Sequence, residues 1–544
     1  MAVEGRRGIV TIGVGVFLSG AVLLGLEIVA SRVLAPYFGS SLFVWGALIG
    51  VVLAGLSIGY WLGGALADRF PSPYLLIGAI AGGAVLVLLV PLVDAWVLEQ
   101  IVSWDPGPRL DPLVATIVLF GAASVVLGSV SPIAVRLVTR SLERLGRTAG
   151  RLFAVSTAGS IAGTFVTAFW LVPELGTDQV LAVGALTLLV AAAIVAVGAR
   201  LPLTAVALAG AAAACTAVVV SLEPEQGGTL RGAAARNWSP LYRERETRNP
   251  SVLDPRSVQG DGFKIRFAKD TRYHRLVVAD DESSRYLRFD SSFQSGMYLG
   301  QPFRTRFEYT DYLDLGLAYN PDARRVLFIG LGGGSAPKRF WRDFPRLQLQ
   351  VVELDPDVVD VAYRWFALPR NQRLKVDTED GRRWLARHDA RWDVIVLDAF
   401  YADSIPFHLA TVEFLELARS RLAPGGVIVT NMIGALQGDI SRLLRSMTRT
   451  YRSVFSTVEL HPVFLEGDRD PGSLRNVILV ATDSASPSTA FLAERWEQIR
   501  ARWPRAPELA DPIRDRWQRE VRLADVPLLT DDYAPTDALL LLFG

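Results

Sequence analysis

The 544-residue sequence has one cysteine and four histidines. Cys215 sits inside an apolar run, so neither a disulfide framework nor a thiolate metal site can form, and it is expected to be buried and inert. His274, His388, His408 and His461 have no metal-ligand spacing, and no metal is expected. Lysine is scarce, with arginine as the dominant base, which reads as a genomic bias. The net charge is +1 and no basic tract occurs, so the electrostatic footprint of a nucleic-acid binder is missing. Charge is also thin at the start: residues 1–222 hold 11 Arg and 10 acids, and the other 90 charged residues follow.

What fills that first stretch is apolar sequence. Seven segments reach the length of about 20 residues that a bilayer span requires. They are Ile9–Ala30, Val44–Leu66, Tyr74–Val93, Leu113–Ile133, Leu152–Val172, Gln179–Gly198 and Leu201–Leu222. A cleaved signal peptide would account for the first alone. Gly55-x-x-x-Gly59-x-x-x-Gly63 and Gly159-x-x-x-Gly163 carry small residues at the spacing that lets helix backbones approach, so one packed bundle is expected. Arg6, Arg7, Arg69, the cluster Arg136/Arg140/Arg144/Arg147/Arg151, and Arg200 fall in alternate loops, which puts the N-terminus in the cytoplasm. Seven spans would then place residue 223 onward outside, unless the last segment is re-entrant. Only Ala199 and Arg200 separate the last two spans, and Arg231 and Arg236 follow within reach of the same rule, so a cytoplasmic C-terminal domain on a multi-pass cell-membrane protein is expected. Residues 223–260, rich in Gly, Pro and charge, read as a linker.

From there the composition is that of a water-soluble domain. Tyr273–Tyr298 alternates around turn residues at Asp280–Ser284 and predicts a hairpin within a small β subdomain, residues 261–310. A helix around Tyr309–Tyr319 follows. Strands are expected at Val326–Leu331, Leu349–Glu353, Leu374–Asp377, Trp392–Leu397 and Gly426–Asn431, alternating with helices. That pattern is a doubly wound parallel α/β sheet over residues 311–544, a Rossmann-like domain whose ligands bind at the carboxyl ends of the strands.

Those ends are chemically loaded. The first carries Gly330-Leu-Gly332-Gly333-Gly334, the second Glu353, the third Asp380-Gly381, the fourth Asp398, and the fifth leads into Asn431. Glycines admit a ligand where a Cβ would clash. An acid at the second end can accept from both ribose hydroxyls, in a dinucleotide or in an S-adenosyl ligand alike. An acid after the third strand is placed to accept an adenine amino group, and Ser335 stands where the dinucleotide fingerprint wants Gly or Ala, so an S-adenosyl ligand is the favoured reading. Asp398 would lie beside the sulfonium and could take or orient the proton of an attacking amine.

These residues resemble the spermidine synthase family of polyamine aminopropyltransferases over about residues 265–480, in its multi-pass membrane-fused form. The resemblance implies that Gln294 in "FDSSFQS" contacts the thioadenosine, Tyr309 in "EYTDY" lines the substrate pocket, and Glu353 holds the ribose. It also implies that Asp380-Gly381 and Pro406 in "DSIPFHL" form the adenine site, and that Asp398 accepts the proton. The co-substrate implied is decarboxylated S-adenosylmethionine, with a small amine as acceptor and a homo-oligomer as a compatible assembly.

The chain departs from the family pattern on the acceptor side. Gly333 stands where the family has an aspartate that grips the donor's amine end, Tyr401 where it has a second acid, and Thr310 where it has His or Gln. A diamine needs acids to hold its charges; Asp311, Asp403 and Asp532 are the acids available to compensate. Three readings follow: an aminopropyltransferase, a methyltransferase using S-adenosylmethionine itself, and a non-catalytic membrane sensor or transporter that binds an S-adenosyl ligand. Under the first, Gly333→Asp should be neutral or should improve use of the decarboxylated donor.

Overall fold

A computed structural model describes the chain except residues 1–5, 39–41, 105–108, 140–144, 173–174, 176, 222–228, 231–262, 272, 291, 401–404, 465–467, 537–538 and 540–544. Two compact units emerge, Met1–Gln226 with Ala268–Arg275, and Gly227–Phe267 with Leu276–Gly544. Apart from Thr229–Leu230, the expected linker lies outside the described residues.

The first unit is a helical bundle. Its helices are α1 (Arg6–Phe38), α2 (Leu42–Arg69), α3 (Pro73–Trp104), α4 (Leu110–Val138), α5 (Leu145–Leu171) and α6 (Thr177–Gly198), each long and apolar enough to cross a membrane. The seventh expected span is α7 (Pro202–Ser221), whose described apolar stretch, Pro202–Thr216, is shorter than the others. It turns at Arg200 (φ 59°) and runs back along α6, with Cys215 Sγ 3.5 Å from the Ala182 carbonyl. The small-residue patterns do what their spacing implies. A Cβ on Gly59 would sit 2.3 Å from the Val125 carbonyl of α4, and one on Gly163 would sit 2.0 Å from the Ala21 carbonyl of α1. Large apolar side chains such as Trp61, Leu92, Trp96 and Trp170 face outward, a surface that suits lipid rather than water.

The second unit holds two sheets. The smaller has six strands in sequential order: β1 (Thr229–Leu230), β2 (Phe263–Asp270), β3 (Arg275–Asp280), β4 (Ser284–Phe289), β5 (Ser292–Tyr298) and β6 (Gln301–Thr305). The expected hairpin is β3–β4, paired from Leu276↔Phe289 to Asp280↔Arg285. Two short helices, α8 (Tyr309–Tyr312) and α9 (Leu315–Tyr319), replace the single helix expected there.

The larger sheet contains β7 (Arg325–Ile329), β8 (Gln348–Glu353), β9 (Leu374–Thr378), β10 (Trp392–Leu397), β11 (Leu422–Gly434), β12 (Thr457–Pro462) and β13 (Arg475–Thr482). The order is β12-β13-β11-β10-β7-β8-β9. The five expected strands are parallel; β13 inserts antiparallel between β11 and β12. The sheet is therefore mixed, of the methyltransferase-like Rossmann type, rather than wholly parallel. Helices α10 (Ser335–Asp343) and α11 (Pro356–Trp365) follow β7 and β8, and rings such as Phe328 and Phe340 meet edge-on in the core, 5.2 Å apart. The sheet's order reverses at β7, between β8 and β10, and this switch point is where such folds bind ligands.

Candidate active site

At the switch point the chain leaves β7 through the glycine loop. Gly330 has φ +99°, and a Cβ there would lie 2.3 Å from the Asp398 carbonyl, so only glycine fits between the ends of β7 and β10. Asp398 N–H donates to the Ile329 carbonyl (3.0 Å), which ties the two ends together. Gly332 faces Ser295 of β5. Gly333 N–H donates to the Ser295 hydroxyl (2.8 Å), and a Cβ on Gly333 would lie 2.8 Å from the Phe366 ring and 3.0 Å from Ser295 Cβ. The space that an aspartate side chain would need is thus already filled. This counts against the expectation that Gly333→Asp would be neutral or better, since Phe366 would have to move.

Gln294 sits at a local irregularity beside Ser295, the loop's partner. Leu287 pairs with Ser295 and Arg288 with Phe293, so Gln294 is the extra residue of a β-bulge, a device that re-aims side chains beside sites. Glu353, at the end of β8, is buried and already braces the loop: Oε2 accepts from Leu331 N–H (2.9 Å) and Oε1 from Asp355 N–H (3.0 Å). Asp380 caps helix α12 (Gly381–Arg387), accepting from Arg383 N–H (2.9 Å). Its other oxygen meets His408 Nε2 at 2.9 Å; this bond, with the backbone bonds at the cap, holds the carboxyl below the usual range against the opposing effect of burial. Gly381 packs against Ile329, where a Cβ would lie 2.4 Å from Cγ2. Pro406 opens the short helical turn Phe407–Leu409 that presents His408.

Asp398 follows β10 and points two oxygens at two partners. Oδ1 accepts from Asn431 Nδ2 at 2.9 Å, and Oδ2 lies 3.5 Å from the Tyr309 hydroxyl. Burial pushes this carboxyl up to about 6, against the Asn431 and Tyr309 hydrogen bonds that favour the charged form. A carboxylate that titrates near neutrality is a competent proton acceptor.

Other expected residues are not all gathered here. Tyr401 and Asp403 lie outside the described residues. Thr310 is buried, its carbonyl accepting from Arg339 (3.1 Å). Asp311 accepts from the Thr305 hydroxyl and pairs with Arg339 at 3.5 Å, so it is engaged within the fold, and Asp532 is exposed. Three participants escaped sequence reasoning. His408 was legible only as a histidine after Pro406, Arg339 carried no motif, and Asn476 showed no signal at all. Arg339 is buried among Asp314 (2.5 Å), Asp311 and Asp343, and so fastens α8 and α9, with Tyr309, onto α10.

Residues 307–465 match the model of the spermine/spermidine synthase domain. A polyamine aminopropyltransferase from Vibrio vulnificus (strain CMCP6) is 34% identical over 213 residues, 38% of this chain and 69% of that protein. The chain belongs to the spermine/spermidine synthase family. That family places it among the transferases. A probable polyamine aminopropyl transferase from Bifidobacterium longum (strain NCC 2705) is 36% identical over 149 residues, 26% of this chain and 32% of that one. An eEF1A lysine and N-terminal methyltransferase from Bos taurus is 35% identical over 120 residues, 20% of this chain and 17% of that one. The spermine/spermidine synthase match thus spans the glycine loop, Glu353, Asp380 and Asp398, and ends short of β13.

Proposed function

We propose that the chain is a membrane-anchored aminopropyltransferase. A small amine attacks the carbon beside the sulfonium of decarboxylated S-adenosylmethionine. The amine lone pair forms the new N–C bond, the C–S electron pair returns to sulfur, and methylthioadenosine leaves. The proton shed by the new ammonium passes to Asp398. Glu353 would hold the ribose, Asp380 with Gly381 and Pro406 the adenine, and Gln294 with Gly330, Gly332 and Gly333 the thioadenosine. Tyr309 would face the acceptor, and no metal enters the scheme. The observation that carries the reading is Asp398: a carboxylate oriented by Asn431 and Tyr309, raised to about 6, at the switch point beside the glycine loop.

Methyl transfer from S-adenosylmethionine is the second reading. Gly333 favours it, since no acid there repels the donor's carboxylate and none can be built in without displacing Phe366. A non-catalytic sensor is the third. Mass spectrometry of the purified protein with each donor and a mixture of amines separates them. Methylthioadenosine supports aminopropyl transfer, S-adenosylhomocysteine supports methylation, and binding without either product supports the sensor.

The bundle would sit in the cell membrane as a multi-pass anchor, and self-association is open to measurement by its mass in detergent. We place the catalytic domain in the cytoplasm because S-adenosyl donors are made there. The return of α7 along α6 counts against this if α7 completes a seventh pass, since the arginine-rich loops favour an N-terminus inside. A fusion after Gly544 decides: fluorescent green fluorescent protein supports the cytoplasm, and active alkaline phosphatase puts the domain outside.

A further inference from the structure

We infer that Asn431 is the positioning residue of Asp398: its amide occupies Oδ1 and leaves Oδ2, beside Tyr309, as the oxygen that takes the proton. This rests on the proton-transfer role proposed above. It starts from three hydrogen bonds in series. Asn476 Nδ2 donates to Asn431 Oδ1 (2.9 Å), Asn431 Nδ2 donates to Asp398 Oδ1 (2.9 Å), and the Tyr309 hydroxyl stands 3.5 Å from Oδ2. The direction of the series is forced. An ionised carboxylate only accepts, so Asn431 must turn its NH₂ toward Asp398. Its carbonyl then faces β13 and needs a donor, because Asn431 is buried and an unpaired amide oxygen would be costly. Asn476 supplies it. The two asparagines stand on adjoining strands, Asn431 opposite Ile478 and Asn476 opposite Ile433.

The consequence is an asymmetric carboxylate. A proton on Oδ1 would confront the Asn431 N–H, donor against donor. A proton on Oδ2 leaves the Asn431 bond intact. The antiparallel β13, which lies outside the main parallel ladder, thereby serves the site: it carries Asn476, which sets the polarity of the series. Among the described residues, the Tyr309 hydroxyl is the titratable group hydrogen-bonded to Asp398, and it faces the oxygen that would receive the proton.

The test uses the full-length chain in nanodiscs. Asn431→Ala should lower kcat about 10- to 100-fold, the scale of a misplaced reacting group, with the donor KM unchanged. It should also move the acid limb of the kcat pH profile upward, because the anion loses a donor. Asn476→Ala should move both in the same direction by less. A kcat loss with an unmoved pH limb would reduce Asn431 to a packing residue and overturn the inference. Should the wild type turn over neither donor, the aminopropyl reading fails separately. Infrared titration of the Asp398 carboxyl, identified by its loss in Asp398→Asn, then still decides. A midpoint that rises in Asn431→Ala supports the positioning role, and an unmoved midpoint overturns it.

Discussion

The two sides of Asp398 are built differently. On the donor side, backbone and fixed carboxylates do the holding: Gly330 is wedged against the Asp398 carbonyl, Glu353 braces Leu331 and Asp355, and Asp380 is shared between a helix cap and His408. On the acceptor side stand a few side chains, Tyr309, Asn431 and Asp398 itself, with the nearby acid Asp311 already committed to Thr305 and Arg339. Under the proposed function, the donor side would read its ligand through features that the chain also needs in order to fold, whereas the acceptor side would rest on a few side chains.

That division can be broken by mutation. The largest effect should come from Asp398→Asn, a turnover loss of roughly 10²–10⁴-fold, the usual worth of a positioned acid–base group, with methylthioadenosine binding intact by calorimetry. A parallel loss of binding would show that the two sides are not separable. Gly330→Ala should injure both at once: its Cβ would meet the Asp398 carbonyl and its φ is +99°, so strain of about 1–3 kcal/mol should lower the melting temperature and weaken the nucleoside site together. Glu353→Gln should cost methylthioadenosine binding about 1.5–3 kcal/mol, and some stability too, since an amide cannot accept from both Leu331 and Asp355. Unchanged calorimetry would remove Glu353 from the site. The turnover of the wild type should fall as pH drops through about 6, where Asp398 takes up its proton and can no longer accept one; a flat profile across that range would deny it the role of base. His408→Ala should do least, changing methylthioadenosine affinity by under about tenfold, the worth of one hydrogen bond.

How much of this could be read beforehand follows from the range of each signal. Strand ends with acids, the glycine loop and the small-residue spacing of α2 and α5 are local patterns, and each landed where its period puts it. The insertion of β13 between β11 and β12 is a pairing choice between segments far apart in the chain, and no local period encodes it. The Asn476–Asn431 bond and the His408–Asp380 bond depend on that kind of long-range placement. Gly333 shows the limit most plainly. The missing aspartate was visible in the sequence, but that Phe366 and Ser295 fill its place was not, because neither neighbour is near it in the chain.

Asp398 also has a thermodynamic side. Its folded-state pKa of about 6 lies above the 3.8 of an unhindered aspartate, so the native state binds this proton more tightly than the unfolded chain does. Folding stability therefore falls as pH rises from about 4 through 6 and stays lowered above that window. The penalty at neutral pH is of order 3 kcal/mol, from about 1.4 kcal/mol per unit. The buried Asp398 carboxylate is thus a local weak point of its own domain. The Asp398→Asn variant should melt above the wild type at neutral pH, with the gap closing as both approach the acid side.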